Sequence, residues 1–404
     1  MKVLQINATY GYGSTGLIVK DIGDALAENG DEAYFAYQSC TKAPDGGYRV
    51  GSTADRKLHA LLCRLTGKQA YFSKRATKKL IRHIAAVRPD VVHLHNLHSN
   101  YIHLNMLLKH LAKEDIATVI TMHDCWYFTG KCFHYVDAGC TRFQTGCGKC
   151  PKKSAPPKSL FFDSSAKVLR DRCRFLSAIP RITLVGCSQW ICNEARKSRL
   201  SSLPIAQVYN GVDTEIFRPE DVSAWKAQLC PEGERLVMGM ANKWFLSSNL
   251  SMIQRISELP NTKLMLVGCT PEQKELLAKK HPSVLGIGFI TDRRELASYY
   301  AVADVFVNLT HADTLPTVNM ESICSGTPVI TYDSCGSPEL VLDGCGEVVA
   351  ENDATALLDA VAHQDAKIAQ EALARARATF DKNECYKMYI RVYKEALAEK
   401  ETKE

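Results

Sequence analysis

ADVFVNLTHADTLPTVNMESICSGTPVITYDSCGSPE, residues 303–339, combines two buried strands with a helix and a polar loop between them. The apolar runs at 305–309 and 328–332 are short and rich in β-branched residues, which indicates buried parallel strands. Thr317 is a suitable N-cap for a helix over 318–324, whose first N–H groups would face a ligand beyond the strand. Asp313 and Glu321 would then lie at the carboxyl end of a parallel sheet, where such folds bind ligands.

Two explanations of Glu321 stay open from the residues alone. A carboxylate in the first turn of a helix is favoured by the helix dipole, whether or not a ligand binds there. A position at the carboxyl end of a parallel sheet equally favours a site for anions and hydroxyl groups.

The segment resembles the E-x7-E signature of the retaining nucleotide-sugar glycosyltransferases of family 4, which have the two-domain GT-B fold. In this chain it runs Asp313-x7-Glu321, followed by SGTPVI at 325–330 and GSPE at 336–339. The resemblance implies that Asp313 lies beside the donor sugar as a catalytic residue and that Glu321 binds the ribose hydroxyls. The backbone groups that it assigns to the nucleotide are those of Leu315, Pro316 and Thr317. Asp313 replaces the usual Glu and is one methylene shorter.

Length and composition indicate a globular protein of two domains. A chain of 404 residues with 46% hydrophobic and 23% charged residues is too long for one compact core. The N-terminus runs directly into a strand pattern without a cleavable leader, and no transmembrane segment is visible, so we expect a cytoplasmic protein. The net charge of +6 permits anionic substrates or a membrane surface. Disulfides are not expected in that compartment, so a tight group among the sixteen cysteines would indicate a metal site.

Short apolar strands alternate with helical segments in both halves of the chain, which predicts an α/β fold with two doubly wound parallel sheets. The first set of predicted strands covers 3–7, 33–37, 91–95, 118–122 and 182–185. The second set covers 236–240, 263–267, 284–288, 305–308 and 329–331. The turn signal Asn210-Gly211 places a domain boundary there, giving domains 1–209 and 210–382. The GT-B resemblance implies that the two Rossmann-like domains face a cleft and that the helix 383–404 crosses back to the first, acceptor-side domain.

A glycine-rich loop, YGYGSTG at 10–16, separates the first strand from a helix. Glycine lets a backbone approach a ligand closely, and a helix start supplies N–H donors for an anion. The pattern alone is weak, since no acidic residue ends the next strand, and a tight turn with close helix packing explains it equally. The resemblance implies that Gly13 and Ser14 meet the donor diphosphate or sugar.

Histidines gather where two strands of the first half end. His93, His95 and His98 lie along one strand and its exit, and His93 and His95 share a face. Histidines hydrogen-bonded along an acceptor site, or a metal site, are the two interpretations, although a catalytic zinc usually needs three ligands. HDCW at 123–126 follows the next strand and resembles the capsule and colanic-acid branch of family 4. That resemblance implies that His123 contacts the donor sugar near the reacting carbon, while a structural histidine is the alternative.

The strongest local motif is a group of four cysteines, C-x7-C-x6-C-x2-C, ending at Pro151. Four thiols on one glycine-bearing loop can surround a tetrahedral ion, and C-x2-C is the chelate spacing of structural zinc sites. We therefore predict structural zinc, with free thiols or disulfides as the alternatives. The predicted ligands are Cys132, Cys140, Cys147 and Cys150, with Cys125 and His134 as substitutes.

Two basic regions carry apolar side chains among their positive charges. Such a composition suits contact with a membrane surface or a lipid phosphate, and a solvated helix face is the alternative. The first region contains Arg64, Lys68, Lys74, Arg75, Lys78, Lys79 and Arg82 around Leu65, Tyr71, Phe72 and Leu80. The second contains Lys167, Arg170, Arg172 and Arg174 near Phe161 and Phe162.

The second half departs from family 4 at the usual Arg-Lys pair that binds the donor diphosphate. Aligned on Trp244 and Leu250, this chain has Ser-Ser-Asn at 247–249. Two charge-assisted hydrogen bonds would be worth roughly 3 to 6 kcal/mol, against about 8 kcal/mol for a micromolar ligand. Lys243 is the predicted substitute, and Arg293 and Arg294 are the other candidates.

The resemblance as a whole implies a retaining glycosyltransferase without a catalytic metal, which moves a sugar from a nucleotide diphosphate to a saccharide or lipid-linked acceptor in surface polysaccharide synthesis. Two other functions fit the same architecture: a sugar-nucleotide epimerase, and a catalytically silent binding protein that lacks the basic pair. Nucleic acid is not an expected partner, because the basic residues are not interleaved with stacking aromatics.

Overall fold

The computed structural model describes residues 1–230 and 233–398, which form two compact units. Unit 1 contains Met1–Asn210 together with the chain from Cys385 onward, and unit 2 contains Gly211–Glu384. Residues 399–404 of the predicted C-terminal helix lie outside the described residues.

Unit 1 is built on a seven-stranded sheet in which every neighbouring pair is parallel. Its strand order is β3-β2-β1-β4-β5-β6-β7, so the direction of winding reverses between β1 and β4. The strands are β1 Lys2–Tyr10, β2 Glu32–Cys40, β3 Gly47–Arg49, β4 Val91–Leu94, β5 Ala117–Met122, β6 Ile182–Gly186 and β7 Ile205–Gln207. The helices are α1 Gly13–Glu28, α2 Thr53–Thr66, α3 Lys74–Val87, α4 Leu104–Lys113, α5 Ser165–Leu176 and α6 Gln189–Arg196.

Unit 2 repeats this plan with a six-stranded parallel sheet in the order β10-β9-β8-β11-β12-β13. Its strands are β8 Arg235–Met240, β9 Thr262–Val267, β10 Leu285–Gly286, β11 Val305–Asn308, β12 Val329–Tyr332 and β13 Gly346–Val349. Its helices are α7 Ser223–Leu229, α8 Ala241–Trp244, α9 Leu250–Ser257, α10 Pro271–Lys280, α11 Arg293–Val302, α12 Thr317–Cys324, α13 Ala354–His363 and α14 Gln370–Phe380. The prediction of two doubly wound parallel sheets is confirmed.

The last described helix, α15 Lys382–Ala398, contributes to the core of unit 1, as predicted. Its buried face carries Tyr386, Tyr389 and Tyr393, which pack with apolar side chains of β1, α1, β4 and β5. Two of these tyrosines also make buried hydrogen bonds: Tyr393 Oη lies 2.7 Å from His93 Nδ1, and Tyr389 Oη lies 2.8 Å from Thr121 Oγ1. Residues of α15, far from β1 in the sequence, therefore complete the core that covers the sheet of unit 1.

Three strands were absent from the prediction: β3, β7 and β13. They have three, three and four residues and lie at sheet edges, and each is largely exposed or half-buried. Strands of this kind carry no continuous apolar run, because only one neighbour and little of the core covers them. The predicted strand at 284–288 shortens to Leu285–Gly286 for the same reason.

The winding of each sheet reverses at one place, and this places the loops that could bind a ligand. In an open parallel sheet, ligands bind beyond the carboxyl ends of the two strands where the order reverses. Those strands are β1 and β4 in unit 1, and β8 and β11 in unit 2. The glycine-rich loop follows β1 and the histidines follow β4, while Lys243 follows β8 and Asp313 follows β11.

No helix in the described part of the chain is both long enough and apolar enough to cross a membrane.

Candidate active site

Glu321 lies on α12 of unit 2, one residue further from the helix start than the sequence indicated. The helix begins at Thr317 with Pro316 as its N-cap, so the prediction of Thr317 as a capping residue is wrong. Glu321 is the fifth helical residue, and the first turn contains no acidic side chain. Attraction to the helix start therefore does not explain this carboxylate.

The Glu321 side chain is half-buried beside the Tyr300 hydroxyl. Tyr300 Oη donates a hydrogen bond to its Oε2 at 3.2 Å. Burial raises the pKa of Glu321, although Arg293 and the Tyr300 hydroxyl oppose the shift. A carboxylate kept in such surroundings is suited to accept hydrogen bonds from ligand hydroxyls.

Lys243 and Asp313 form the polar centre of the loops that follow β8 and β11. Lys243 Nζ donates to Thr310 Oγ1 at 3.1 Å and lies 3.8 Å from Asp313 Oδ2. About one third of the Asp313 side chain and one quarter of the Lys243 side chain are exposed, so both can reach a ligand. A cation and a carboxylate thus stand side by side at the switch point of the sheet.

Not all of the backbone groups predicted to bind the nucleotide, those of Leu315, Pro316 and Thr317, can donate a hydrogen bond to it. Leu315 N–H donates to Asp313 Oδ1 at 3.2 Å, and Pro316 has no N–H group. Thr317 N–H occupies the first helical position, where no partner exists within the helix. The start of α12 therefore offers the N–H groups of Thr317 and the following residue to an anion.

Two hydroxyl groups beside this loop are buried without a hydrogen-bond partner in the described chain: Thr314 Oγ1 and Ser337 Oγ. Thr314 belongs to the loop before α12, and Ser337 follows β12. Buried hydroxyls normally find partners, so each is free to bond a ligand or water.

The serines that replace the usual basic pair lie at the surface, and the residue after them is built into the loop. Asn249 is buried and donates from Nδ2 to the carbonyls of Lys243 and Leu309, both at 2.8 Å. Its Oδ1 lies 2.8 Å from His311 Nε2, and His311 Nδ1 lies 2.6 Å from Glu351. Asn249 thereby ties the Lys243 loop to the Asp313 loop.

Of the other candidate cations, Arg293 lowers the pKa of Glu321 by its positive charge, whereas Arg294 is exposed.

In unit 1, the glycine-rich loop leads directly into α1, and Gly13 is the first helical residue. Gly13 has a φ of +65°, and a Cβ built on it would meet nothing within 4 Å. Packing therefore does not require this glycine, and the space beside it is open. Gly13 and Ser14 are exposed at the helix start, where N–H groups lack helical partners. Packing does require the glycine at position 16, since a Cβ built on Gly16 would lie 2.8 Å from Thr9 Oγ1.

Histidines near the ends of β4 and β5 form one group, in which His93 and His95 are buried and His123 is half-buried. His95 Nδ1 lies 3.1 Å from His123 Nε2, and burial holds the pKa of His95 well below its usual value. Burial lowers the pKa of His123 to about 4, although Asp124 opposes the shift. His98 Nε2 lies 3.0 Å from Asp124 Oδ2. His93 bonds Tyr393 and Thr121 instead, so these histidines do not share a metal ion.

The four predicted zinc ligands come together without forming a metal site as the side chains stand. All four thiols line one small cavity of about 20 Å³, and the Cys132 and Cys150 thiols are hydrogen-bonded to each other. Gly130 N–H donates to Cys147 Sγ at 3.3 Å. Across residues 1–230 and 233–398, no group of three or more His, Cys, Asp or Glu side chains could hold a metal ion.

Two members of the predicted basic surfaces are buried, which corrects those predictions. Leu80 belongs to the core on the inner face of α3. Arg172 is 1% exposed, lies over the Trp126 ring at 3.6 Å, and donates to the carbonyls of Trp126 and Thr129. Arg172 therefore stabilises the loop after β5 and is not a surface charge.

Two family models match the chain, one mainly over unit 1 and the other within unit 2. Residues 16–216 match the model described as Glycosyltransferase Family 4, and residues 238–364 match the model described as Glycosyl transferases group 1. The chain belongs to these glycosyltransferase families. Among curated relatives, this glycosyltransferase is 26% identical over 327 residues to the colanic acid biosynthesis glycosyl transferase WcaC of Escherichia coli strain K12. The match covers 76% of each chain.

Solved structures confirm the GT-B fold of the glycosyltransferase. The sucrose-phosphate synthase of Thermosynechococcus elongatus superposes with a TM-score of 0.70 at 16% identity, covering 98% of this chain and 99% of that one. HepE of Anabaena in complex with UDP gives a TM-score of 0.65 at 15% identity and covers 98% and 100% of the two chains. Identities this low establish the fold and not the substrate.

Several site residues were not visible in the sequence. Gln5, whose Oε1 lies 3.1 Å from His95 Nε2, carries no motif of its own, and neither do Tyr300 and Asn249, since an isolated amide or phenol has many structural uses. Their signal is position, because Gln5 lies on the strand before the glycine loop and Asn249 stands in the altered basic motif. Only the contacts of the folded chain distinguish them.

Proposed function

We propose that this glycosyltransferase binds a nucleotide diphosphate-sugar on unit 2 and transfers the sugar, with retention, to a saccharide acceptor. The observation that carries the proposal is the pair formed by Lys243 and Asp313, 3.8 Å apart at the switch point of the second sheet, in front of the helix α12 that carries Glu321. The solved HepE structures hold UDP or UDP-glucose, which supports a uridine nucleotide as the first donor to test.

Each group has a role that its chemistry favours. The diphosphate leaves with negative charge, which Lys243 and the free N–H groups at the start of α12 would stabilise. Glu321 would accept hydrogen bonds from the ribose hydroxyls, and Asp313 would accept from hydroxyls of the sugar. For Gly13, Ser14 and His123 of unit 1, the contacts with the diphosphate and the sugar that the family resemblance implies stay predictions.

A lysine substitution tests the donor site. We expect Lys243→Gln to weaken UDP binding about 10- to 100-fold, because one charge-assisted hydrogen bond is worth about 1.5 to 3 kcal/mol. Lys279→Gln is the matched control, since Lys279 forms an exposed pair with Glu275 on α10. Calorimetry with UDP and UDP-glucose measures both variants, and equal affinity for the two would remove Lys243 from the site.

The alternative functions make different products. A sugar-nucleotide epimerase would convert the donor without any acceptor, whereas the proposed enzyme would transfer sugar only to an acceptor or slowly to water. Chromatography of donor incubated with the wild-type chain separates these outcomes. Absence of binding at millimolar UDP-sugars would instead favour a silent binding protein, in keeping with the exposed serines at 247 and 248.

We further propose that the acceptor is lipid-linked and that unit 1 contacts an anionic membrane through one exposed apolar patch. Leu58 and Leu61 on α2 are each more than half exposed, as is the segment at 160–162. The two segments adjoin, since Leu160 N–H donates to the Arg64 carbonyl at 2.7 Å. Exposed basic side chains surround it, namely Arg56, Lys57, Arg64 and Lys158. Apolar side chains bordered by positive charge suit a surface of anionic lipids.

Vesicle sedimentation tests this surface. The wild-type chain should sediment with vesicles of anionic phospholipid and less with neutral ones, and the double variant Phe161→Ser/Phe162→Ser should lose most of that binding. Phe289→Ser is the control, because Phe289 is 83% exposed on unit 2. Equal sedimentation of both variants would exclude the patch.

We also propose a structural zinc ion at Cys132, Cys140, Cys147 and Cys150. Support comes from the shared cavity, which has room for about one small atom, and from the backbone N–H that already points at Cys147 Sγ. The last two cysteines have the C-x2-C spacing of structural zinc sites, and the two residues between them, Gly148 and Lys149, both have positive φ. Zinc binding releases the thiol protons, so the Cys132–Cys150 hydrogen bond would give way to four Zn–S bonds.

Metal analysis of the purified chain tests this proposal. We expect about one zinc per chain, lost in Cys147→Ser and retained in Cys40→Ser, which alters a half-buried cysteine outside the cavity. Thiol counting under denaturing conditions identifies the alternatives. A metal-free chain with four reactive thiols, or one with two disulfides in this loop, would reject the zinc site.

A further inference from the structure

A chain of hydrogen bonds leads from the backbone of α1 to His123 in unit 1. Gln5 Nε2 donates to the Val19 carbonyl at 3.0 Å. Gln5 Oε1 lies 3.1 Å from His95 Nε2, and His95 Nδ1 lies 3.1 Å from His123 Nε2. Each contact needs one donor and one acceptor, so the direction at one end determines the direction of all the others.

The direction is set by Gln5. A carbonyl can only accept, so the Gln5 amide nitrogen faces Val19 and its oxygen faces His95. His95 must therefore carry a proton on Nε2. His95 is fully buried, and this burial holds its pKa well below the usual value, so the ring is neutral and its Nδ1 is unprotonated. His123 must then donate from its own Nε2.

The other ring nitrogen of His123 is left to the ligand. Burial lowers the pKa of His123 to about 4, which makes the ring neutral near pH 7, and a neutral ring has only one N–H. Its Nδ1 accordingly carries a lone pair, and the side chain is only half-buried. Asp124 and His98, the two titratable side chains beside His123, are bonded to each other at 3.0 Å.

We propose that Gln5 and His95 are positioning residues that hold His123 in the Nε2–H tautomer, so that His123 Nδ1 accepts a hydrogen bond from a hydroxyl of the sugar substrate. The assignment of the sugar rests on the proposed transferase function, whereas the tautomer rests only on the contacts within unit 1. In this state His123 cannot donate a proton through Nδ1, so it acts in orientation and not as a general acid.

Nuclear magnetic resonance of the full chain labelled with [15N]histidine measures the tautomer directly. Long-range proton–nitrogen correlations distinguish Nε2–H from Nδ1–H, and the His123 signals are those lost in His123→Asn. We expect Nε2–H with an unprotonated Nδ1 at pH 7.5. An Nδ1–H signal for His123 in the wild-type chain would overturn the proposal.

Two variants separate positioning from general stability. Gln5→Met removes the acceptor for His95, so part of His123 should convert to Nδ1–H, and kcat should fall in proportion, about two- to tenfold, with KM changing less. Thr121→Val is the matched control, because Thr121 is equally buried and bonds His93 and Tyr389 but not His123. It should leave the His123 signals unchanged.

The outcomes also distinguish this inference from the proposed function. An unchanged His123 tautomer in Gln5→Met, or an equal fall of kcat in Thr121→Val, would reject the positioning role. A wild-type chain that shows the Nε2–H tautomer but transfers no sugar would support the hydrogen-bond direction and overturn the transferase.

Discussion

The Glu321 carboxylate is held in an environment that disfavours its charged form. Burial raises the pKa of Glu321, so the carboxylate form costs stability that the protonated form does not. Because the pKa in the folded state lies above that of the unfolded state, this cost appears as the pH rises through the folded pKa. Sites that bind ligands often keep such groups at the expense of stability.

Glu321→Gln should therefore stabilise the chain and abolish donor binding. Glutamine keeps an oxygen for the Tyr300 hydroxyl but carries no charge, so we expect a gain of about 1 kcal/mol at pH 7.5. Calorimetric melting and UDP titration measure the two effects. Glu371→Gln, at an exposed position on α14, should change neither. A destabilised Glu321→Gln variant that still binds UDP would contradict both parts.

Tyr393 connects the end of the chain to the sheet of unit 1 through one hydroxyl. Tyr393→Phe leaves His93 Nδ1 buried without its partner, which should lower the free energy of unfolding by about 1 to 3 kcal/mol. Tyr34→Phe removes an exposed bond to Glu32 and should cost less than about 0.5 kcal/mol. Urea denaturation compares the two variants, and equal losses would show that the buried bond is not special.

At the scale of elements, strand β8 and helix α8 depend on a close contact. A Cβ on Gly239 would lie 2.0 Å from Trp244 Nε1, the buried indole nitrogen that donates to the Val307 carbonyl. The strand that precedes Lys243 therefore needs a glycine for packing, since the helix folds back over it. The position of Lys243 depends on the same contact, because it is the neighbour of Trp244.

Gly239→Ala should destabilise the protein by about 1 to 3 kcal/mol and weaken UDP binding, because Trp244 must move and Lys243 with it. Gly288→Ala is the control, since a Cβ there meets nothing within 4 Å. We expect that variant to match the wild type or exceed its stability slightly. Melting temperatures and UDP affinities test the pair, and an unaffected Gly239→Ala would show that the indole has room to move.

At the scale of the whole molecule, buried histidines should make the protein sensitive to acid. His59, His93, His95 and His123 all belong to unit 1, and burial lowers the pKa of each, for His59 and His123 to about 4. The unfolded chain binds protons at these sites below about pH 6.5 while the folded chain does not. Their contribution to stability is therefore complete above that pH and is lost as the pH falls toward 4.

The free energy of unfolding should fall by about 1.4 kcal/mol for each pH unit and each histidine. Four histidines together give about 5 kcal/mol per pH unit. Calorimetry of the full chain between pH 7.5 and 5 should show the melting temperature of one transition falling steeply. Glu321 opposes this trend with a smaller, opposite dependence. A melting temperature that stays constant across this range would mean that the histidines are protonated in the folded chain.

The sequence by itself determined the two parallel sheets, the positions of their main strands and the loops that follow those strands. These features follow from local pattern, because a strand buried on both faces is continuously apolar and a ligand loop is marked by glycine, histidine or acid at its end. The edge strands escaped prediction, since β3, β7 and β13 have too little buried surface to leave such a pattern.

Tertiary structure alone decided how those residues act. It placed Glu321 beyond the first turn, bonded Leu315 N–H to Asp313 and buried Arg172 and Leu80, which sequence had assigned to surfaces. It also joined Gln5 to His123 through His95, across residues far apart in the chain. Burial and hydrogen-bond direction depend on neighbours that the fold supplies, so no local pattern encodes them.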